Sequence, residues 1–404
     1  MNRQTSLSLL AVFAFESVHF CQLAHAEACK IRDFEPAGLS AVQIDAAWFD
    51  GANHTLHLAG VDGNHNMGEL AKQKATLRVV RIDQTGQFTN IVPRPPPAKP
   101  VEVEGFVRHT QGRDGKSLIA WDMLPTQTTA SLPQVQWLAF GDVGDSRLPA
   151  AKTAPEVRDC SLRGLTALHA GGFALLCEHR IGKGQQFEFI VHTVGEAKSR
   201  NLKWPSRPTV RGLAAYPNDD LLLFGVRWIP GQEGAWLVRS GWTDKPTFEK
   251  RLENPTWHQR AVDGATVMRN GDVVISGLAT QASRIQNRGA FGWTLARLDP
   301  NGIVRWQLVY PVNLAGKPRQ VTEKPDGSLI AFGADEILGD TRNIIVEFSS
   351  QGVIRTVHVL ADWTEITAMA ISDNEIALVG KVGDGPKAKV RIVQTTLNCL
   401  AKLR

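Results

Sequence analysis

The sequence predicts an all-β fold, a seven-bladed β-propeller with four-stranded antiparallel blades whose N- and C-termini meet at the ring closure. Short runs of alternating apolar and polar residues fill the chain, and no helical period of ten or more residues stands out. A hairpin recurs along the chain: an apolar strand, a tight turn and a second strand that often ends in Gly. In several repeats a second hairpin follows, which makes four strands per repeat.

The first hairpin turn of each repeat contains Gly, Asn or Asp, because these residues tolerate the positive φ of tight hairpin turns. The seven marked positions are Asp50, Asp114, Gly171, Asn218, Asn270, Asp326 and Asp373. Their mean spacing is about 54 residues, and seven repeats of that length fill residues 27–404 as a single domain. The alternative, a pair of β-sandwiches, does not predict an even period.

The first 26 residues have the composition of a signal peptide. Arg3 supplies the positive charge, residues 7–15 are apolar, and Ala24 and Ala26 are the small residues at the cleavage position. We therefore expect cleavage near Ala26 and export to the periplasm or out of the cell; a buried N-terminal helix is the alternative. No later stretch approaches 18 apolar residues, so no membrane span is predicted.

The composition is that of a globular protein, since 43% of the 404 residues are hydrophobic and 21% are charged. Removal of the leader takes away Arg3 and Glu16 together, so the formal net charge stays at +5. Lys and Arg do not cluster with interleaved aromatic residues, and nucleic-acid binding is therefore not predicted. We expect a monomer.

Four cysteines remain after cleavage, an even number that suggests two disulfides in an exported chain. Three pairings are possible. The favoured pairs are Cys29 with Cys399, which would lock the ends of the ring together, and Cys160 with Cys177, which are close in sequence. None has the C-x-x-C or metal-ligand spacing, so neither a zinc site nor a redox site is predicted.

Two segments, Asp83-x-x-Gly86 and Asp299-x-x-Gly302-x-x-x-Trp306, resemble the repeat of pyrroloquinoline-quinone-type propellers. In that family the Asp-x-x-Gly turn links the two outer strands of a blade and the Trp packs between blades. The resemblance covers about ten residues at each place, and it implies the propeller fold. The chain lacks the greater length and the adjacent cysteine pair of the quinone-dependent dehydrogenases, so no cofactor is predicted.

A ring of polar residues is predicted around the central channel. Counting back seven or eight residues from each hairpin turn, or ten in the repeat with the longer turn, reaches the start of the innermost strand. A polar residue stands there in every repeat: Gln43, Glu104, Arg163, Arg211, Asp263, Arg319 and Glu365. Gly follows in four consecutive repeats, where it would let the channel backbones approach closely.

Two interpretations of this ring are open. The guanidinium groups of Arg163, Arg211 and Arg319 can converge on a carboxylate or phosphate at the channel mouth. Alternatively, neighbouring repeats pair Glu104 with Arg163, Arg211 with Asp263 and Arg319 with Glu365, and the six charges cancel. The second interpretation, salt bridges that set the geometry of the ring, is favoured.

Other candidate sites are weaker. Residues 62–68 have oxygen donors at alternate positions but lack the glutamate of a calcium loop, so a solvated turn is favoured over a metal site. Packing between blades is expected for most tryptophans, although Trp236, Trp242 and Trp257 could form an exposed patch. Motifs for serine nucleophiles, zinc proteases and phosphate loops are missing from the sequence, and no catalytic residue is assigned.

The sequence therefore supports two functions. A large rigid platform without a recognisable catalytic set favours a scaffold or inhibitor that binds an envelope or secreted protein. The alternative is a hydrolase or lyase that holds an anionic small molecule or sugar at the channel mouth through the three arginines. Whether the protein is an enzyme stays open at this point.

Overall fold

A computed structural model gives the architecture of the chain. It describes residues 29–36, 39, 42–50, 55–62, 75–91, 102–112, 115–123, 134–140, 160–181, 186–194, 199–202, 208–227, 233–241, 246–281, 290–313, 318–337, 340–383 and 388–403. These residues form strands and one short 3-10 helix at Leu397–Lys402. None of the described segments is a helix long and apolar enough to cross a membrane.

The described strands are short, as expected from runs of alternating residues between turns. Their bounds are β1 (Arg32–Phe34), β2 (Val42–Phe49), β3 (Leu56–Asp62), β4 (Ala75–Ile82), β5 (Phe88–Asn90), β6 (Glu102–Gln111), β7 (Ser117–Met123), β8 (Gln134–Phe140), β9 (Cys160–Ala167), β10 (Phe173–Ile181), β11 (Gln186–Val194), β12 (Ser199–Leu202), β13 (Pro208–Ala215), β14 (Leu221–Arg227), β15 (Gly234–Ser240), β16 (Pro246–Arg251), β17 (His258–Val267), β18 (Val273–Gln281), β19 (Ala290–Leu298), β20 (Val304–Val312), β21 (Gln320–Glu323), β22 (Leu329–Ile337), β23 (Asp340–Phe348), β24 (Ile354–Leu360), β25 (Glu365–Ile371), β26 (Glu375–Val382) and β27 (Lys389–Thr396).

The strands form antiparallel blades of a β-propeller. Four sheets are simple four-stranded meanders, β9–β12, β13–β16, β17–β20 and β21–β24. A fifth four-stranded sheet has the order β1-β27-β26-β25, and a sixth contains β2 to β8. The first strands of successive units, β2, β6, β9, β13, β17, β21 and β25, contact one another in turn, and β25 contacts β2 again. These first strands therefore form the inner ring.

The predicted number of seven separate blades is wrong, because the described strands form six sheets. The seven-stranded sheet contains two of the predicted repeats, β2–β5 and β6–β8. Hydrogen-bonded pairing of β4 with β6, at Ala75 with Val103 and Thr76 with Glu102, joins them into one sheet. Hydrophobic residues of its two parts, among them Trp48 and Trp121, also pack in one cluster.

Hydrophobic clusters between successive units make up the core. Ile44 and Leu58 pack with Ala368 and Val379, which joins β2 and β3 to β25 and β26. Further clusters join the remaining neighbours around the ring in the same way. Two stacked sandwiches would not give this succession, since each unit here packs against the units before and after it.

The ring closes through its two termini, as predicted. Strand β1 pairs with β27, so that Asp33 lies opposite Val393, and thereby completes the sheet of the last three strands. A disulfide joins Cys29 to Cys399 across 370 residues of sequence. The second predicted disulfide, Cys160–Cys177, joins β9 to β10. Two disulfides suggest an oxidising, extracytoplasmic environment.

Aromatic residues on the outer strands pack against glycine turns of the following unit. The Trp306 ring lies against Gly352, where an added Cβ would be 2.7 Å from the ring, and its Nε1 donates to the Ser350 carbonyl at 3.0 Å. Phe248 lies against Gly302 in the same way. Both glycines have a positive φ, about 80°, so they are required by the turn as well as by the ring. Trp306 therefore packs between blades, as the sequence resemblance implied.

Candidate functional site

The innermost strands carry a recurring β-bulge that positions the side chains of the ring. In five of them the register with the second strand shifts by one residue, which leaves an extra residue between a large apolar residue and a small one. The extra residues are Asp45, Arg163, Arg211, Asp263 and Thr367. A bulge bends its strand and re-aims the side chain of the extra residue. Bulges therefore position three of the predicted ring residues, Arg163, Arg211 and Asp263.

A glycine on the second strand accommodates the bulge in four sheets. At Gly60, Gly225, Gly277 and Gly380 an added Cβ would lie 2.0 Å from a first-strand carbonyl oxygen, that of the residue just before the one opposite the glycine. No side chain fits at that distance from backbone, so the glycine within each of these four second strands has a steric cause. Cys177 occupies the corresponding position on β10, opposite Leu162.

Two predicted ion pairs form between neighbouring blades. The Arg211 guanidinium donates to the Asp263 carboxylate, and the Arg319 guanidinium donates to Glu365. Their surroundings differ: the Asp263 side chain is 3% exposed, whereas the Glu365 side chain is 39% exposed. The Arg211–Asp263 pair is therefore a structural link with a buried carboxylate, and the Arg319–Glu365 pair lies open to solvent.

The third arginine pairs differently from the prediction. Arg163 donates to Glu178, which lies on β10 of the same sheet. Glu104, the predicted partner, pairs through its backbone with Asp122 on β7, and its side chain lies outside the described residues. Counting back from the hairpin turns reaches only the first strands, so it does not find a carboxylate on a second strand.

Gln43 supports the ring rather than lining it as an independent ligand. Its Nε2 donates to Asp45 Oδ1 at 3.0 Å, and Asp45 Oδ2 accepts the Val107 N–H at 3.0 Å. Asp45 thus links β2 to β6. It is the bulge residue of β2, two places beyond the residue that counting from the turn had selected.

Arg108 is a further charged residue near the ring that the sequence search missed. Burial lowers the pKa of its guanidinium, and the nearby charge of Arg163 lowers it further, whereas Asp122 and Asp45 raise it. Asp122 also accepts the Leu162 N–H at 2.7 Å and so links β7 to β9. Arginines and carboxylates therefore lie close together on strands β2 to β10: Asp45, Arg108, Asp122, Arg163 and Glu178.

The predicted close approach of channel backbones is seen at one of the glycines that follow the ring residues, Gly164. An added Cβ at Gly164 would lie 3.1 Å from the Gly212 Cα of the next inner strand. At Gly212 and Gly264 it would instead meet the Phe224 ring and the Ser276 hydroxyl of the same sheet. β9 and β13 therefore lie side by side in the ring. Their bulge residues, Arg163 and Arg211, lie on these two neighbouring strands.

The tryptophans and the calcium-loop segment noted in the sequence contribute little to this site. Trp121 and Trp236 are fully buried, and Trp236 Nε1 donates to Glu249 at 2.8 Å. Trp257 is half-buried and packs near Gly292, while Trp242 lies outside the described residues. Residues 63–68 of the calcium-loop candidate also lie outside the described residues.

The arrangement can bind an anion. The three arginine side chains are 43%, 39% and 44% exposed at Arg163, Arg211 and Arg319, so part of each guanidinium faces solvent while a carboxylate fixes the rest. A guanidinium has five N–H donors, more than one carboxylate uses. The ion pairs and a ligand site are therefore compatible, because the carboxylates orient the arginines and leave donors open.

The comparisons with known proteins locate the chain by its fold alone. No protein-family model matches it, and no curated protein matches it. The polysaccharide lyase Uly1 superposes with a TM-score of 0.50 at 11% identity, over 87% of this chain and 89% of that chain. An ulvan lyase bound to -[GlcA(1-4)Rha3S]- gives a TM-score of 0.51 at 8% identity, over 92% and 99%.

A third similar structure is a puromycin hydrolase, with a TM-score of 0.50 at 15% identity. The match covers 84% of this chain and 50% of the hydrolase. At these identities the likeness shows the fold, a β-propeller, and nothing of the chemistry.

Proposed function

We propose that the protein is an exported lyase or hydrolase that binds an anionic sugar or small molecule at the channel mouth. The observation that carries this proposal is the set of half-exposed guanidinium groups at Arg163, Arg211 and Arg319, each oriented by a carboxylate. Bidentate guanidinium donors match the geometry of carboxylate, sulfate and phosphate groups. The two disulfides support the exported location.

The residues divide into binding and proton-transfer roles. In a lyase reaction on a uronate sugar, a cation neutralises the carboxylate while a base removes the adjacent carbon-bound proton; hydrolysis needs an acid and a base at the glycosidic bond. We assign substrate binding to the arginines. Glu365 is the ring carboxylate assigned to proton transfer, because its side chain is 39% exposed whereas Glu178 and Asp263 are 10% and 3% exposed.

The structural neighbours favour this function over a protein-binding scaffold. Two of the three similar folds are described as polysaccharide lyases and the third as a hydrolase. A propeller holds its sites where several blades meet, and the arginines here lie on three different inner strands. A scaffold role is supported among the described residues by the exposed apolar side chains on β24 and the turn before it, Val353, Ile354, Val357 and Val359, which lie on an outer strand and not on the inner ring.

The test is to assay the mature protein against polysaccharides that contain uronate or sulfate groups, with neutral polysaccharides as the comparison. Unsaturated products are followed by their ultraviolet absorbance, and hydrolytic products by new reducing ends. Arg319→Ala is the informative variant, because its partner Glu365 stays hydrated after the change and the fold is retained. We expect at least a tenfold loss of kcat/KM, consistent with a lost charge-assisted contact.

The control is Arg355→Ala on the outer strand β24, where the side chain is also exposed and lies near an acidic residue, Asp326. Its activity should match that of the unmodified protein. Equal activity of both variants, or turnover of neutral but not anionic substrates, contradicts the proposal. Absence of turnover together with recovery of a stoichiometric protein partner from an envelope extract would favour the scaffold instead.

A further inference from the structure

The disulfide in the β9–β12 sheet lies next to a histidine. Cys160 on β9 lies directly opposite His179 on β10, and Cys177 lies two residues before His179 on the same strand. The ligand atoms of Cys160, Cys177 and His179 all lie within 4.8 Å of one another. Both cysteines are fully buried, and the His179 side chain is half-buried.

We propose that the dithiol form of this pair, together with His179, binds a zinc-like divalent cation. Two thiolates and an imidazole are the donor set that Zn²⁺ prefers. With Zn–S bonds of about 2.3 Å, a tetrahedral ion holds its sulfur ligands about 3.8 Å apart, which the present cluster can accommodate after reduction. Water takes the fourth position.

The chemistry has two steps. A dithiol oxidoreductase supplies two electrons and two protons that convert the Cys160–Cys177 disulfide to two thiols, and itself becomes a disulfide. In the laboratory a phosphine supplies the two electrons, while water supplies the two protons and the oxygen of the phosphine oxide that forms. The cation then replaces the two thiol protons, which pass to solvent. Oxidation and metal binding are therefore mutually exclusive at this site.

The sheet holds the ligands in place without the disulfide. β9 and β10 are paired along seven residues, from Phe173 opposite Ala167 to His179 opposite Cys160. The sulfur atoms therefore stay close together after reduction, because the backbone hydrogen bonds fix the register of the two strands. A preorganised set of ligands binds a cation at a smaller entropic cost than a disordered one.

The site also adjoins the channel ring. Arg163 lies three residues after Cys160, and Glu178 lies between Cys177 and His179. The Arg163–Glu178 ion pair thus rests on the same stretch of the two strands as the three ligands. The metal site does not depend on the proposed enzyme function, since it is assigned from the ligands alone.

The experiment uses the full mature protein, reduced with a phosphine and titrated with Co²⁺, which gives an intense near-ultraviolet absorption when thiolates bind it. We expect one Co²⁺ per reduced chain, displacement by Zn²⁺, and no such absorption from the oxidised protein. Cys160→Ser/Cys177→Ser should abolish the absorption, and His179→Ala should weaken binding at least tenfold. Circular dichroism records whether the reduced chain keeps its β structure.

Two matched variants serve as controls. Cys29→Ser/Cys399→Ser removes the thiols of the ring closure and should keep the absorption, and His258→Ala removes an exposed histidine from another sheet and should leave the affinity unchanged. The proposal is overturned by absence of the absorption in the reduced protein or by its persistence in Cys160→Ser/Cys177→Ser. Loss of β structure on reduction also overturns it, because the site requires β9 and β10 in register.

Discussion

Trp48 stacks with two imidazole rings in the β2–β8 sheet. The centroid of its ring lies 4.0 Å from that of His109 and 5.3 Å from that of His57. Burial, and to a smaller extent the nearby His57, lowers the pKa of His109 to about 3. His109 Nε2 is buried without a hydrogen-bond partner, so protonation places a charge where nothing compensates it.

The pH dependence of stability follows from this depressed pKa. In the unfolded chain the histidine takes up a proton below about pH 6.5, whereas the folded protein resists protonation of His109 down to about pH 3. Between these values the unfolded state binds more protons, so stability falls as the pH falls. The effect amounts to about 2 kcal/mol at pH 5 for this one group.

His109→Phe tests the assignment, since phenylalanine keeps a ring against Trp48 but does not titrate. The decrease in unfolding free energy between pH 7 and pH 5 should be about 2 kcal/mol smaller in the variant than in the unmodified protein. Denaturant unfolding at the two pH values measures it. Equal decreases in both proteins would show that His109 is protonated with an ordinary pKa in the folded state.

At the scale of the strand, the bulge and its opposing glycine form one unit. Gly277 lies opposite Val262, next to the bulge residue Asp263. An added Cβ would lie 2.0 Å from the Ala261 carbonyl oxygen, and backbone cannot move aside as a side chain can. Gly277→Ala should therefore distort the strand pair that holds Asp263 and weaken the Arg211–Asp263 ion pair with it.

We expect Gly277→Ala to reduce the unfolding free energy by about 3 kcal/mol, the upper part of the range for overpacking. Gly327→Ala is the control: its φ is +77° and nothing lies within 4 Å of an added Cβ, so only the left-handed conformation costs energy, about 1 kcal/mol. Denaturant unfolding of both variants gives the comparison. Equal losses would mean that the close approach at Gly277 is relieved at little cost.

The bulges also explain which parts of the ring were predictable. Counting from the hairpin turn found Arg163, Arg211 and Asp263, because in these strands the bulge lies at that distance from the turn. In β2 the same count stopped at Gln43, two residues before the bulge residue Asp45. Alternation of apolar and polar residues describes a regular strand, so it does not show where a bulge inserts an extra residue.

The partners of the ring residues were less predictable than the ring itself. Pairs between equivalent positions, such as Arg319 with Glu365, follow from the repeat. Glu178 lies on the second strand β10 and Arg108 lies four residues after Glu104 on β6, so a count to the start of each first strand does not reach them. The repeat therefore predicts the strands that all units share. It does not predict charged side chains at other positions, such as Glu178 and Arg108.

Over the whole molecule, the repeat length predicted the ring but miscounted its sheets. Units of about 54 residues follow one another as predicted. The first two share hydrogen bonds through β4 and β6, a contact between neighbours that no repeat pattern contains. The closure was predictable because an open ring leaves the faces of its first and last sheets uncovered, and pairing of β1 with β27 ties the start of the chain to the last sheet.

The two disulfides should contribute unequally to the stability of the ring. Cys29–Cys399 closes a separation of 370 residues, whereas Cys160–Cys177 closes 17 residues within a hairpin that backbone hydrogen bonds already hold. On the chain-entropy argument, the long closure stabilises by about 6 kcal/mol and the short one by about 3 kcal/mol. Besides the disulfide, the seam holds three paired residues of β1 and β27, the Asp33–Arg391 and Glu35–Lys389 ion pairs, and the hydrophobic cluster that joins β2 and β3 to β25 and β26.

Cys29→Ala/Cys399→Ala should therefore lower the unfolding free energy more than Cys160→Ala/Cys177→Ala, by about 3 kcal/mol. Denaturant unfolding of both double variants under non-reducing conditions measures the difference, and hydrogen exchange at β1 and β27 shows where it arises. The seam variant should lose protection at β1 first, because only three residues of β1 pair with β27. A larger loss from the hairpin variant, or unchanged protection at β1, would mean that strand pairing alone closes the propeller.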